Sequence, residues 1–186
     1  MGNDVSREGF RWIKLWQFFR LFLPKNRRVL MRMEKVKGLN FEVLEAIAGK
    51  KYKGVIFDFD ETLAPNYGRI LDENFELICG LVTTGMKVVI FSNMKESERY
   101  DELKKLGVKV HKTIYPKPDV RGFEECREMM GLSASEILMV GDNLMTDGGA
   151  MNAGIDFILV NPIPTQEKFR INRLVQKTMR KIVNSL

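Results

Sequence analysis

The sequence predicts an α/β protein, a Rossmann-like three-layer sandwich around a mostly parallel central sheet. Three observations point there. Short runs of β-forming apolar residues, such as Val55-Ile56-Phe57 and Ile137-Leu138-Met139-Val140, read as strands covered on both faces. Helical stretches of roughly 10 to 12 residues lie between them, the spacing of right-handed βαβ crossovers. Asp58, Ser92 and Asp142 then stand at or just past strand ends, where parallel sheets bind ligands.

In chain order, residues 10–23 form an amphipathic stretch. On a helix, Trp12, Leu15, Trp16, Phe19, Phe22 and Leu23 share one face, and Arg11, Lys14, Gln17 and Arg20 the other, with Phe10, Ile13 and Leu21 intruding there. Pro24 ends it, followed by Lys25, Arg27 and Arg28. A basic, aromatic helix of this kind suits a membrane interface, where each Lys or Arg adds about 1 kcal/mol at an anionic surface. The alternative is packing against the domain or a second copy. Lys14 and Arg20 interrupt the apolar run, so a signal peptide is not expected. Met1-Gly2 with Ser6 matches the myristoylation pattern only formally.

Residues 40–48 read as a short helix capped by Asn40 and ended by Gly49. The first strand follows at 55–57, then helix 72–83 stopped by Gly85, and strand 87–91. A charged helix at 96–106, a strand at 108–114 and a helix at 120–130 come next. Ser133 and Glu136 have capping-box spacing, yet a strand follows so soon that a turn is expected. Strand 137–140, helix 144–152, strand 157–160 and a basic amphipathic helix at 166–184 complete the chain.

The net charge of +6 conceals an asymmetry. Residues 1–53 carry 13 Lys/Arg against 5 Asp/Glu, residues 54–166 carry 11 against 18, and residues 167–186 carry 6 against 1. This divides the chain into a basic extension (1–53), an acidic body (54–165) and a basic C-terminal helix (166–186). Such ends suggest an anionic partner. A membrane surface fits better than nucleic acid, because the aromatics lie on a helix face rather than on barrel strands. Cys79 and Cys126 are the only cysteines and read as free thiols in a reducing compartment. His111 reads as a surface or packing residue.

The chemistry concentrates in Asp58-Phe59-Asp60-Glu61-Thr62-Leu63. Asp58 and Asp60 fall two residues apart and so point to one side of an extended chain. Buried carboxylates are costly unless paired or coordinated. The arrangement suits a divalent metal and a nucleophile; alone, it would read as a solvated loop, as Lys117 alone would read as an exposed loop lysine. With Ser92, Lys117, Gly141-Asp142 and Asp147, the order and spacing resemble the haloacid dehalogenase-like hydrolase superfamily over roughly residues 54–161.

That resemblance implies a phosphatase. Asp58 would be the nucleophile forming an aspartyl-phosphate, and Asp60 the general acid and then base. Mg²⁺ would be bound by Asp58, the Asp60 backbone carbonyl, Asp142 and Asp147, with Asn143 behind them. Ser92 and the Asn93 backbone would hold phosphoryl oxygens, Lys117 would offset the charge, and Thr62 would order the turn and join the phosphate set. Only 33 residues lie between Asp58 and Ser92, and 24 between Ser92 and Lys117, leaving no room for a cap domain.

Leu23-Pro24, Lys117-Pro118, the stretch from Gly141 to Gly149 and Leu159-Val160-Asn161-Pro162-Ile163 look like a capless subfamily containing mitochondrial-type phosphatidylglycerophosphate phosphatases. The implied substrate is a phospholipid headgroup, reached from the cytoplasmic (or matrix) face of a membrane. The alternatives are a soluble phosphomonoester with the basic ends used for a homodimer, and a non-catalytic lipid- or nucleic-acid-binding protein.

Overall fold

The computed structural model describes residues 29–94 and 98–164. Six strands, β1 (Val29–Met33), β2 (Gly54–Phe57), β3 (Lys87–Ile90), β4 (Lys109–Val110), β5 (Ile137–Gly141) and β6 (Asp156–Val160), form one sheet. Their order is β1-β6-β5-β2-β3-β4, and every pairing is parallel. The helices are α1 (Phe41–Ala48), α2 (Asp72–Thr83), α3 (Asp101–Lys105), α4 (Val120–Met130) and α5 (Gly149–Asn152). The predicted helices at 10–23 and 166–184 lie outside the described residues.

The two-residue period of the strands explains the layers. Val55 and Phe57 of β2 face one side with Leu44 of α1 and Ile78 and Leu81 of α2. Ile56 faces the other, with Phe123 and Cys126 of α4 and Met151 of α5. Both faces are covered, which is why the strands are apolar throughout. Capping fixes the helix ends: the Asn40 side chain accepts the Val43 N–H at 3.2 Å, and Gly49 leaves α1 at φ 66°.

The structure departs from the sequence reading in five places. The described sheet includes β1 at Val29–Met33, inside the stretch 1–53 read as an extension. β1 pairs with β6, and Val36, Leu39, Leu44 and Tyr52 are all in the core. The helix expected at 96–106 is, where described, a 3₁₀ turn at Glu98–Tyr100 followed by α3. The strand expected at 108–114 shrinks to β4, because the chain leaves the sheet edge to bring Lys117 back over it. The helix expected at 144–152 shrinks to α5, because the Asn143 carbonyl and side chain capture the N–H groups of Met145, Thr146 and Asp147 in tight turns. Finally, Ser133 and Glu136 do form a full capping box on the 3₁₀ turn Ala134–Glu136. Glu136 also binds Lys53 at 2.6 Å and, with that partner and Ser133, is held down to about 2.

Between β2 and α2, residues 58–71 contain no helix or strand beyond an isolated bridge from Asp60 to Ala64. No inserted domain covers the sheet edge there. At the opposite, amino-terminal edge, Asp156 Oδ2 accepts from the Tyr52 hydroxyl and from Lys50 Nζ, each at 2.6 Å. Burial and this carboxylate both raise the Tyr52 phenol above its ordinary range. Tyr52→Phe removes one donor from a buried acceptor at the amino-terminal edge of the sheet. It is expected to cost about 1–3 kcal/mol, read as a lower urea midpoint with an unchanged m-value.

Candidate active site

The strand order decides which side chains meet. β2 lies between β3 and β5, so the residues following all three converge at one edge. The ladder runs past the named strands: the Asp58 N–H donates to Val140 O at 3.0 Å and the Phe91 N–H to Phe57 O at 2.9 Å. Asp58, Ser92 and Asp142 are thereby set side by side by backbone pairing alone.

Lys117 completes the centre. Its side chain is 2% exposed, and Nζ lies 2.6 Å from both Asp58 Oδ1 and Asp147 Oδ1. Burial works to lower this ammonium, but Asp147 and Asp58 outweigh it and hold Lys117 above its usual range. Asn93 fixes the lysine backbone from the next strand. Its Oδ1 accepts the Lys117 N–H at 2.8 Å, and its Nδ2 donates to Lys117 O at 3.0 Å. The Lys117-Pro118 peptide is cis.

Asp58, Asp142 and Asp147 offer carboxylate oxygens all within 4.8 Å of one another. When ionised, three carboxylates against one lysine leave two negative charges unbalanced in a buried site. Burial pushes Asp58 up to about 7, against the pull of Lys117, and pushes Asp142 well above the carboxylate range, with Asp147 and Asp58 adding to the effect. A divalent hard cation fits both the missing charge and the all-oxygen donor set.

The surrounding residues hold these groups in place. The Asp147 carboxylate accepts the Asn143 N–H at 3.0 Å. Gly141 is required because a Cβ there would collide with that carboxylate, and a Cβ on Gly149 would lie 2.6 Å from Pro118 O. Asn74 donates from α2 to Leu63 O at 2.9 Å and ties down the loop after Asp60. That loop turns at Glu61, a non-glycine residue at φ 62°.

Of the predicted set, Asp58, Lys117, Asp142 and Asp147 come together, and Ser92 and Asn93 border them. The Ser92 hydroxyl oxygen accepts the Met94 N–H at 3.1 Å. Thr62 is 1% exposed and its hydroxyl donates to Asp142 Oδ1 at 3.2 Å, so it positions a carboxylate of the acid cluster. The Asp60 side chain is not part of the metal cluster. It is gripped by Arg99, Nη1 to Oδ1 at 2.6 Å and Nη2 to Oδ2 at 3.2 Å, while Oδ1 also accepts the Tyr67 N–H at 3.0 Å.

Arg99 was not found from the sequence, because no motif marks it. Tyr100 was missed for the same reason. Its ring is edge-on to Phe59 with centroids 4.7 Å apart. Its buried hydroxyl approaches Ser92 but meets no hydrogen-bond geometry among the described residues. His111 packs edge-on to Phe91 and pairs with Glu125 at 2.9 Å, a structural role away from the acid cluster.

Comparison with known proteins gives a consistent picture. The HAD-hydrolase-like family model matches residues 114–162, the span holding Lys117, Asp142 and Asp147. Over 161 residues the chain is 32% identical to the "Probable phosphatase YqeG" of Bacillus subtilis, covering 82% of this chain and 89% of that one. It is 30% identical over 167 residues to phosphatidylglycerophosphate phosphatase 1, chloroplastic/mitochondrial, of Arabidopsis thaliana, covering 82% of this chain but 47% of the plant protein. The cobalt-bound deoxy-D-mannose-octulosonate 8-phosphate phosphatase of Haemophilus influenzae shares the fold. It does so at a TM-score of 0.50 and 15% identity, over 70% of this chain and 88% of that one.

The acid cluster makes a signed prediction. Asp58 ordinarily titrates near 3.8 and here near 7, so metal-free folded protein keeps a proton that the unfolded chain gives up across that window. The stability from this proton is complete below about pH 3.8 and is lost as pH rises through about 7. In chelator-treated protein, Asp58→Asn should flatten the fall in thermal midpoint between about pH 4 and about pH 7. A millimolar divalent cation should do the same to the wild type.

Proposed function

Since the chain belongs to the haloacid dehalogenase-like hydrolases and is a phosphatase, we propose that it hydrolyses the phosphomonoester of an anionic phospholipid, phosphatidylglycerophosphate above all. The reaction is Mg²⁺-dependent and passes through an aspartyl-phosphate. The observation that carries the reading is the buried lysine bridge from Asp58 to Asp147, set at the carboxyl-terminal edge of the sheet.

The chain's own groups divide the work. An Asp58 oxygen attacks phosphorus while the bond from phosphorus to the leaving oxygen breaks, and Asp60 gives that oxygen a proton. Water then attacks the same phosphorus, Asp60 takes its proton, the bond to Asp58 breaks and inorganic phosphate leaves. Ser92 and the Asn93 N–H hold phosphoryl oxygens. Lys117 screens the approach of one anion to another. Bound Mg²⁺, held by Asp58, Asp142, Asp147 and the Asp60 carbonyl with Asn143 behind Asp147, would neutralise phosphoryl charge.

The lipid part of the reading is supported by the relationship to the plant enzyme, by the lack of an inserted domain among the described residues and by the basic, aromatic ends of the sequence. It implies a peripheral protein on the inner, cytoplasmic face of a membrane, or the matrix face in a mitochondrion. Among the described residues no helix is long and apolar enough to cross a bilayer.

Asp58→Asn should cut phosphate release from a generic aryl phosphate by about three orders of magnitude or more while far-UV circular dichroism shows the fold intact. Retained turnover would remove Asp58 as the nucleophile. In a Mg²⁺-dependent substrate screen, phosphatidylglycerophosphate in mixed micelles should be preferred to soluble phosphates, and the full chain should bind anionic liposomes. Preference for a soluble compound, with liposome binding absent, would replace the lipid by a soluble substrate and turn the basic ends to dimerisation.

A further inference from the structure

We propose that Tyr100 is a positioning residue for phosphoryl transfer: its hydroxyl donates to Ser92 Oγ once Ser92 turns its own hydrogen onto a phosphoryl oxygen. The inference rests on the reading of Ser92 as a phosphate-holding group and deepens it.

Tyr100 is 1% exposed, and its hydroxyl meets no hydrogen-bond partner among the described residues. A buried hydroxyl without a partner is costly, and native proteins seldom keep one without a use for it. Packing fixes where this one points. The ring stands edge-on to Phe59, the residue between Asp58 and Asp60, with centroids 4.7 Å apart, and the Arg99 guanidinium lies 5.5 Å from its centre. Held there, the hydroxyl lies beside Ser92 and feels the charges of Asp60 and Asp58. Burial above all raises the phenol beyond its ordinary range, so it keeps its proton. Arg99 is a donor only and cannot take that hydrogen.

What the hydroxyl lacks is an acceptor, and Ser92 supplies one when it binds phosphate. A serine hydroxyl has one hydrogen to give and two lone pairs to offer. The Met94 N–H occupies one lone pair at 3.1 Å. When a phosphoryl oxygen takes the hydrogen, the second lone pair remains, and Tyr100 is the buried donor beside it. These three bonds fill the capacity of Ser92. Each polarises the next, which makes the serine a stronger donor to the phosphate. Before a phosphoryl group arrives, nothing directs the Ser92 hydrogen away from Tyr100, and the two hydroxyls do not align. Stability given up in the resting protein is thereby recovered in the complex.

The test compares the full chain with Tyr100→Phe, Ser92→Ala and the double variant, on an aryl phosphate with Mg²⁺. Tyr100→Phe deletes only the hydroxyl. It should lower kcat/KM at least about tenfold and raise the inhibition constant of inorganic phosphate by a similar factor. Its urea midpoint should equal or exceed that of the wild type, because no bond is lost in the resting protein. In the Ser92→Ala background the same substitution should cost less than about twofold, since no Oγ is left to receive the bond. Wild-type kinetics or a lowered urea midpoint in Tyr100→Phe would make the hydroxyl a structural one and overturn the inference. Additive losses in the double variant would also overturn it, because Tyr100 would then act apart from Ser92. If Ser92→Ala alone keeps wild-type turnover and phosphate inhibition, the phosphate role of Ser92 falls and the inference falls with it. The lipid reading is decided separately, since none of these assays contains a lipid.

Discussion

Everything at this site depends on one buried ammonium holding two of three buried carboxylates. Asp58, Asp142 and Asp147 would repel one another at separations of a few ångströms, and burial makes each charge costly. Lys117 offsets part of that cost, and the imbalance that remains is one a divalent cation would fit. The surroundings follow from this. Gly141 and Gly149 lack side chains because Asp147 and Pro118 occupy the space. Asn93 clamps the lysine backbone at both N–H and C=O, and Thr62 turns inward to steady Asp142.

The fold brings these groups together through strand order rather than through sequence proximity. In an all-parallel sheet every strand ends at the same edge, so a central β2 flanked by β3 and β5 juxtaposes residues 58, 92 and 142. Lys117 and Asp147 arrive from shortened elements: β4 gives way after two residues, and α5 begins only after a run of tight turns. Where the sequence reading expected longer regular structure, the chain instead departs from regularity to deliver a side chain. Local propensity loses there to the electrostatics of the centre.

What was legible in the sequence follows the same division. Strands β2, β3 and β5 could be read because burial on both faces demands an unbroken apolar run. The acid and lysine positions could be read because a recurring chemistry requires them in order. β1 could not, since Val29-Leu-Met-Arg-Met33 follows a basic stretch and its partner β6 lies more than a hundred residues away. The Asn93 clamp and the Arg99 grip were equally hidden. Each is a contact between loops 24 and 39 residues apart in sequence, made only once the sheet has formed.

Among the described residues no domain is inserted between β2 and α2, and this changes where selectivity must reside. A lid encloses a substrate and can inspect its whole surface; an open edge contacts only the phosphate and what lies nearest to it. In the loop that follows Asp58, Asp60 is held by Arg99 from a stretch 39 residues away, Nη1 to Oδ1 at 2.6 Å and Nη2 to Oδ2 at 3.2 Å, so its carboxylate is oriented before any substrate arrives. Orientation of this sort needs no enclosure. It is compatible with a headgroup that stays attached to a surface throughout the reaction.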